Sequence, residues 1–205
     1  MKMPPDLSPY VQNVPRETIE KLEAYAALLE QWQRHINLVA PSTLPDLWHR
    51  HFADSLQLVP YLRSPDLVIA DIGSGAGFPG MVLAIMGYGA VHLVESDQRK
   101  GAYLREVARI TETHITLHTE RAEHLCLPDV DVFISRACGS LNKLLNMLGP
   151  KCKKNTICLF HKGKNYTKEL EDVEGWRFTL RTYPSRVEND SVILELTDIM
   201  QEVAP

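Results

Sequence analysis

The segment Leu67-Val68-Ile69-Ala70-Asp71-Ile72-Gly73-Ser74-Gly75-Ala76-Gly77-Phe78-Pro79-Gly80 constrains this chain more than any other. A short apolar run closes on an acidic residue, a glycine-rich turn follows, and a helix-like stretch, Met81 to Met86, begins directly after it. Such a run reads as a buried parallel strand feeding a tight loop and a crossover helix. Gly73, Gly75 and Gly77 can adopt backbone angles closed to other residues, and without a Cβ they let a ligand lie against the main chain. Pro79 suits the first turn of the helix, where its missing N–H costs nothing.

Gly75-x-Gly77-x-x-Gly80 formally matches a dinucleotide fingerprint, and Glu95 closes the next apolar run, Val91 to Val94, with a carboxylate suited to ribose hydroxyls. An acidic residue there serves any adenosine cofactor, so the register Asp71-x-Gly73-x-Gly75-x-Gly77 discriminates. A carboxylate ahead of the first glycine is unhelpful beside a pyrophosphate, which is held by N–H donors and a positive helix end. It suits a cofactor that carries an ammonium and a sulfonium, S-adenosylmethionine (SAM).

With 205 residues the chain is one ordinary domain plus an appendage, long enough to bury about 70% of its unfolded surface. Cys126, Cys138, Cys152 and Cys158 form no CxxC pair, so no zinc knuckle or redox motif is indicated. Met1-Lys2-Met3-Pro4-Pro5 is not a signal peptide, so the expectation is reduced thiols in a cytoplasmic protein. No apolar run approaches the roughly 20 residues that span a bilayer. The histidines are scattered, with His49 and His51 on different faces of one helix, and no metal site is expected. A net charge of −4 argues against a protein that coats nucleic acid without specificity.

Residues 1–14 are proline-rich and read as a tail that adapts to its surroundings. Ile19, Leu22, Ala26 and Leu29 recur at helical spacing from Pro15 to about His35. A second helix is expected from Pro45 to Leu62, with Leu47, Trp48, Phe52, Leu56 and Val59 buried. His51 and Asp54 lie three apart on it and share a face; they read either as an acid–base pair, a substrate contact, or a local hydrogen bond at a domain junction. Residues 1–64 form a helical extension in this reading and residues 65–205 the cofactor domain. Strands are expected at Val91–Glu95, Ile115–His118, Val130–Ser135 and Thr156–Phe160, with helices at Arg99–Ile110 and Leu141–Leu148. Phe178–Tyr183 and Ser191–Leu196 then read as an antiparallel pair at a sheet edge. The sum is a three-layer α/β domain with a mostly parallel seven-stranded sheet.

Ligands of open α/β sheets sit beyond the carboxyl ends of the strands. The third strand is followed by Glu120-Arg121-Ala122-Glu123, where a carboxylate and a backbone N–H could read adenine; Glu123 could equally be an exposed acid that starts a helix. The fourth strand ends in Ser135-Arg136-Ala137, and an arginine there calls for a carboxylate or phosphate partner. The fifth ends in His161-Lys162-Gly163-Lys164. Two cationic clusters stand out: Arg99, Lys100, Arg105 and Arg109, and Lys143, Lys151, Lys153, Lys154, Lys162, Lys164 and Lys168. They read as a solvated face or as phosphate contacts that position an RNA.

Asn37-Leu38-x-Ala40, His51-x-x-Asp54-Ser55-Leu56, the glycine loop, Glu95-Ser96-x-x-Arg99-Lys100, Arg121-Ala122-Glu123, Ser135-Arg136-Ala137 and Lys162-Gly163 occur in this order. In that ensemble the chain resembles the RsmG (GidB) family, bacterial methyltransferases that modify N7 of a guanine in 16S ribosomal RNA. The resemblance implies a Rossmann-like, class I SAM-dependent fold with a helical N-terminal extension. It implies SAM contacts at Gly73, Phe78, Ala122, Glu123 and Arg136, beside Asp71, Gly75, Gly77 and Glu95 from the loop itself. His51, Asp54 and Arg136 fall at positions expected to be catalytic, and Arg99, Lys100, Lys162 and Lys164 are the expected RNA contacts. The expected partner is 16S rRNA within the small ribosomal subunit, met by a monomer. A SAM enzyme acting on a small molecule, an NAD-dependent oxidoreductase and a non-catalytic assembly factor are the competing readings.

Overall fold

Five segments become parallel strands: β1 (Val68–Ile72), β2 (Ala90–Val94), β3 (Thr116–His118), β4 (Val132–Arg136) and β5 (Ile157–Lys162). The hairpin β6 (Trp176–Pro184) and β7 (Val192–Gln201) is antiparallel, with β7 pairing β5. The computed structural model describes residues 1–4, 7, 11, 14–136 and 138–202; half of residues 1–14, the tail expected to adapt to its surroundings, and Ala137 lie outside them. The seven strands run in the order β3-β2-β1-β4-β5-β7-β6. The order reverses between β1 and β4, the crevice where open α/β sheets bind ligands.

Both faces of the sheet are covered. Ile69, Val132, Ile134 and Leu159 pack on one face with residues of α1 (Arg16–Gln33), α3 (Gly80–Ile85) and α4 (Gln98–Ile110). Ala70, Ile72, Phe133 and Phe160 pack on the other, against Leu141, Leu144, Leu145 and Leu148 of α5 (Leu141–Leu148). Alternate residues of each strand thus enter different cores, which is why these strands read as continuous apolar runs. Asp97 caps α4 by accepting from the Arg99 and Lys100 amides at 2.8 and 3.3 Å.

The expected Pro45–Leu62 helix is instead broken. It comprises a 3₁₀ turn (Pro41–Asp46), a π-helical turn (Trp48–Ala53), a single α turn, α2 (Asp54–Leu56), and a 3₁₀ turn (Val59–Tyr61). Pro60 supplies no amide to an α-helical ladder, so regular winding cannot pass it; the π-helical turn ahead of it contains no proline. A short helix after β5, α6 (Tyr166–Glu171), buries no residue and leaves no apolar stripe for a periodicity argument to find.

The N-terminal helix reaches the glycine loop directly. Tyr25 is fully buried; its hydroxyl donates to the Ala76 carbonyl at 2.5 Å, and its ring stacks on Phe78 at 5.2 Å. Tyr25→Phe removes that bond and leaves the buried carbonyl without it, a cost of about 1–2 kcal/mol. The expected result is a thermal midpoint lower by roughly 3–6 °C, read by calorimetry.

Candidate active site

The loop after β1 is held open by its backbone. Gly73, Gly75 and Gly77 have φ of 70°, 57° and 97°, the left-handed region that side chains disfavour. The Gly73 and Ser74 amides both donate to the Val94 carbonyl at 3.0 Å, and the Gly75 amide donates to Glu95 Oε2 at 2.9 Å. Glu95 Oε1 accepts from the Asp97 amide at 2.8 Å. The second strand's acid therefore braces the loop and the start of α4 together.

Asp71 does not face the open side of the loop. It is fully buried, its Oδ2 accepts from the Gly80 amide at 2.8 Å, and its Oδ1 has no hydrogen-bond partner. Burial pushes its carboxyl up to about 7, against the opposing pull of that amide. It fixes the loop's exit into α3 rather than offering its oxygens to a ligand.

Arg136, the last residue of β4, is the hub of the crevice. Its Nη1 donates to Asp54 Oδ2 and to the Arg50 carbonyl, each at 3.1 Å, and Nη2 donates to His51 Nδ1 at 2.8 Å. Its guanidinium lies 5.1 Å from the Phe78 ring centroid. The arginine's partners thus come from the π-helical turn and the start of α2: His51 and Asp54 do not pair with each other but converge on one cation. Accepting at Nδ1 leaves His51 its proton on Nε2, which donates to Thr43 Oγ1 at 2.8 Å. Burial, reinforced by the Arg136 charge, lowers His51 to about 3.

That value lies below the roughly 6.5 of an unfolded histidine, so the unfolded chain binds the proton first as pH falls. The stability His51 contributes is complete above about pH 6.5 and is lost as pH drops toward 3. His51→Gln keeps an acceptor for Arg136 and should flatten the fall in urea midpoint between pH 7 and 5. Asp71 acts in the opposite sense, because a raised carboxyl penalises folding as pH rises from about 4 to 7.

A cavity of about 570 Å³ is bounded by the loop residues Gly73, Ser74, Gly75 and Ala76, by Phe78 and Glu95, and by His51, Asp54 and Arg136 opposite. Lys100 and Glu188 also line it, as do Leu38 and Val39, whose amides are held by Gln33 Oε1 at 2.9 and 3.0 Å. A second lobe of about 150 Å³ shares Gly73, Glu95 and Cys138 and is closed by Ala122, Glu123 and Met147. Gly77 lies beneath the loop, where a Cβ would come within 2.6 Å of the Tyr25 hydroxyl. Cys138 and Glu188 were not singled out by sequence; one follows Ser135-Arg136-Ala137 by a single residue, the other sits in a polar hairpin loop without any motif.

The cations disperse. Arg99 and Lys164 are exposed and Lys100 is half-buried. Lys162, expected on the surface, is 7% exposed, its ammonium donating to Glu169 Oε2 and the Gly139 carbonyl, both at 2.7 Å. Lys153 pairs with Asp129, and with Lys154 it lies just ahead of β5, at the end of the sheet remote from the cavity. The second cluster is therefore not one surface: sequence proximity along β5 separates residues by the length of the strand.

The family profile of rRNA small subunit methyltransferase G, GidB, matches residues 18–189, a span that holds all five parallel strands. The chain belongs to this family. The ribosomal RNA small subunit methyltransferase G of Rhodospirillum centenum is 47% identical over 187 residues, 91% of this chain and 87% of that protein. Its counterpart in Rhodospirillum rubrum is 48% identical over 187 residues, 91% of this chain and 93% of that protein. Among solved structures, a SAM-dependent methyltransferase from Aquifex aeolicus superposes with a TM-score of 0.58 at 17% identity, over 74% of this chain and 92% of the other. The fold is that of the Rossmann-like class I methyltransferases, and the GidB member described here places its glycine loop, Glu95 and Arg136 around one crevice at the strand ends.

Proposed function

We propose that this protein transfers the methyl group of S-adenosylmethionine to N7 of a guanine in 16S ribosomal RNA. The observation that carries the reading is the two-lobed cavity built by the family's own motifs: glycine loop and Glu95 on one wall, His51, Asp54 and Arg136 on the other. Relatives that match nine-tenths of the chain are named as methyltransferases of small-subunit rRNA, and the Aquifex neighbour is named as SAM-dependent.

The residues fit that cofactor. Gly73 and Gly75 leave main chain bare at the cavity wall, Glu95 offers a carboxylate to ribose hydroxyls, and Ala122 with Glu123 closes the lobe sized for adenine. When bound, SAM supplies an electrophilic methyl on sulfur. Guanine N7 carries an in-plane lone pair and loses no proton before attack, so no general base is needed. The state of His51 agrees: it is locked between Arg136 and Thr43 and stays neutral far below physiological pH. What the chain contributes is position, by holding N7 in line with the methyl–sulfur bond, and a site from which water is displaced around a cation that is spread rather than created. Arg136 orients either the methionine carboxylate or guanine O6. Arg99, Lys164 and Lys100 would meet phosphates and set register, whereas Lys162 is occupied by Glu169. The reading places the enzyme in the cytoplasm, acting as a monomer, with residues 1–64 as a helical extension to the domain of residues 65–205.

The test is methyl transfer from labelled SAM to small ribosomal subunits taken from cells lacking this gene, followed by mapping of the modified base. Label at one guanine N7 is the expected result; SAM binding without incorporation into rRNA would overturn it.

A further inference from the structure

A third cavity, about 220 Å³, lies on the far side of Arg136 from the adenosine lobe. Asp54, Arg136 and Glu188 line both it and the large cavity, so the two adjoin across a partition of those three side chains. Its walls come from the ends of β4 and β5, where Arg136 pairs in register with His161, and from the loop between β6 and β7. It is smaller than the about 300–1,000 Å³ of sites for whole drug-sized ligands, and therefore suits one ring system. The charges do not favour a phosphate. Lys162 is already engaged by Glu169, Arg136 by Asp54 and His51, and Glu188 by Arg50, so the charges around the cavity are paired among themselves. An uncharged heterocycle with both donors and acceptors fits.

Glu169 is arranged for such a role. Its Oε2 accepts from Lys162 Nζ and from the Leu141 amide, both at 2.7 Å, and among the described residues its Oε1 accepts no hydrogen bond. The carboxylate is pinned through one oxygen, and the side chain retains 26% exposure. We propose that this cavity receives the base that is methylated, and that Glu169 selects guanine by accepting from its N1–H and N2–H donors. This rests on the reading of the protein as a guanine-N7 methyltransferase. With N7 turned toward the partition, O6 on the same edge meets Arg136, whose Nε donates no hydrogen bond among the described residues, and the donor-bearing edge points away, toward Glu169. Adenine has a bare acceptor at N1, which would face a carboxylate, and a donor in place of O6. A site built to pair specific donors discriminates strongly against an analogue that lacks them.

Three proteins test this: the wild type, Glu169→Gln and Ser191→Trp, the last filling the cavity from the hairpin loop. Transfer to unmodified small subunits, SAM dissociation constants and inhibition of transfer by free guanosine and free inosine are measured for each. Both variants should bind SAM within about twofold of wild type and lose on the order of ten- to a hundredfold in kcat/KM for subunits. Guanosine should inhibit the wild type better than inosine, which lacks the N2 amine, and Glu169→Gln should erase that preference. Two results would each overturn the assignment: Ser191→Trp transferring at the wild-type rate, or guanosine and inosine inhibiting the wild type equally. A wild type that places no methyl on guanine N7 would instead defeat the underlying functional reading, a result separable because it needs no variant.

Discussion

Arg136→Ala is expected to reduce methyl transfer by on the order of 100- to 1,000-fold, the effect of removing a single fixed electrostatic donor from an active site. Arg136 is the side chain on which both cavities converge, and it holds Asp54, His51 and the Arg50 carbonyl at once. Its loss also takes the cation from a partly buried carboxylate, Asp54 being 15% exposed at the side chain and left with Gln57 Nε2 as its donor, at a cost of about 1–3 kcal/mol. Falling activity could then be mistaken for unfolding, so Arg136→Lys is the necessary companion. A lysine keeps the charge but offers a single point donor in place of the planar fork. The expected pattern is near-normal denaturant stability for Arg136→Lys with most of the transfer defect retained at saturating SAM. Full recovery of transfer by lysine would show that charge alone suffices.

What could be read ahead of the structure followed from local chemistry. Period and composition placed the strands that are largely apolar runs, β1, β4 and β5 above all, and turn signals placed the rest, β3 and β6 being short of buried residues; the glycine register marked the loop that lines the large cavity. The failures share another cause. The segment from Pro45 to Leu62 winds as π, α and 3₁₀ turns although its apolar positions look helical, because an apolar stripe records which residues are buried and not how the backbone winds between them. Asp71 was expected to present its charge to the cofactor, yet alternation along β1 turns it toward α3 and the Gly80 amide. Lys162 looked like a surface cation because its partner, Glu169, lies on a helix too short to be seen. Arg136 was rightly expected to need an acid, but only tertiary contact could name Asp54, 82 residues away.

That long-range closure also ties the helical segment ahead of β1 to the walls of the cavity. Tyr25 holds the glycine loop from below through Ala76, and His51 and Asp54 hold Arg136 from across the crevice. Gln57 extends the link: it donates to Asp54 Oδ1 at 2.6 Å and accepts from the Arg186 amide at 2.9 Å, tying the π-helical segment to the β6–β7 loop that carries Glu188. Cofactor lobe, partition and proposed base cavity are therefore one mechanically connected unit.

Gly73→Ala is expected to raise the SAM dissociation constant at least tenfold, measured by calorimetric titration, while Gly75→Ala raises it less. Both positions have left-handed backbone, which costs a side chain about 1–2 kcal/mol. They differ in what a Cβ meets. At Gly75 the nearest atom is the Gly73 carbonyl oxygen at 3.8 Å, an ordinary contact, whereas at Gly73 the added carbon falls 2.4 Å from Cys138 Sγ and 2.9 Å from its Cβ. Cys138 lines both lobes of the cofactor cavity, so relieving the clash pushes its side chain into the space SAM would fill. Truncating that side chain removes the sulfur but keeps the Cβ at the same attachment point. Cys138→Ala added to Gly73→Ala should therefore recover part of the lost affinity, leaving the backbone strain and the residual Cβ contact. Strain alone predicts that the second substitution changes nothing, and equal losses at Gly73 and Gly75 would favour that simpler cause.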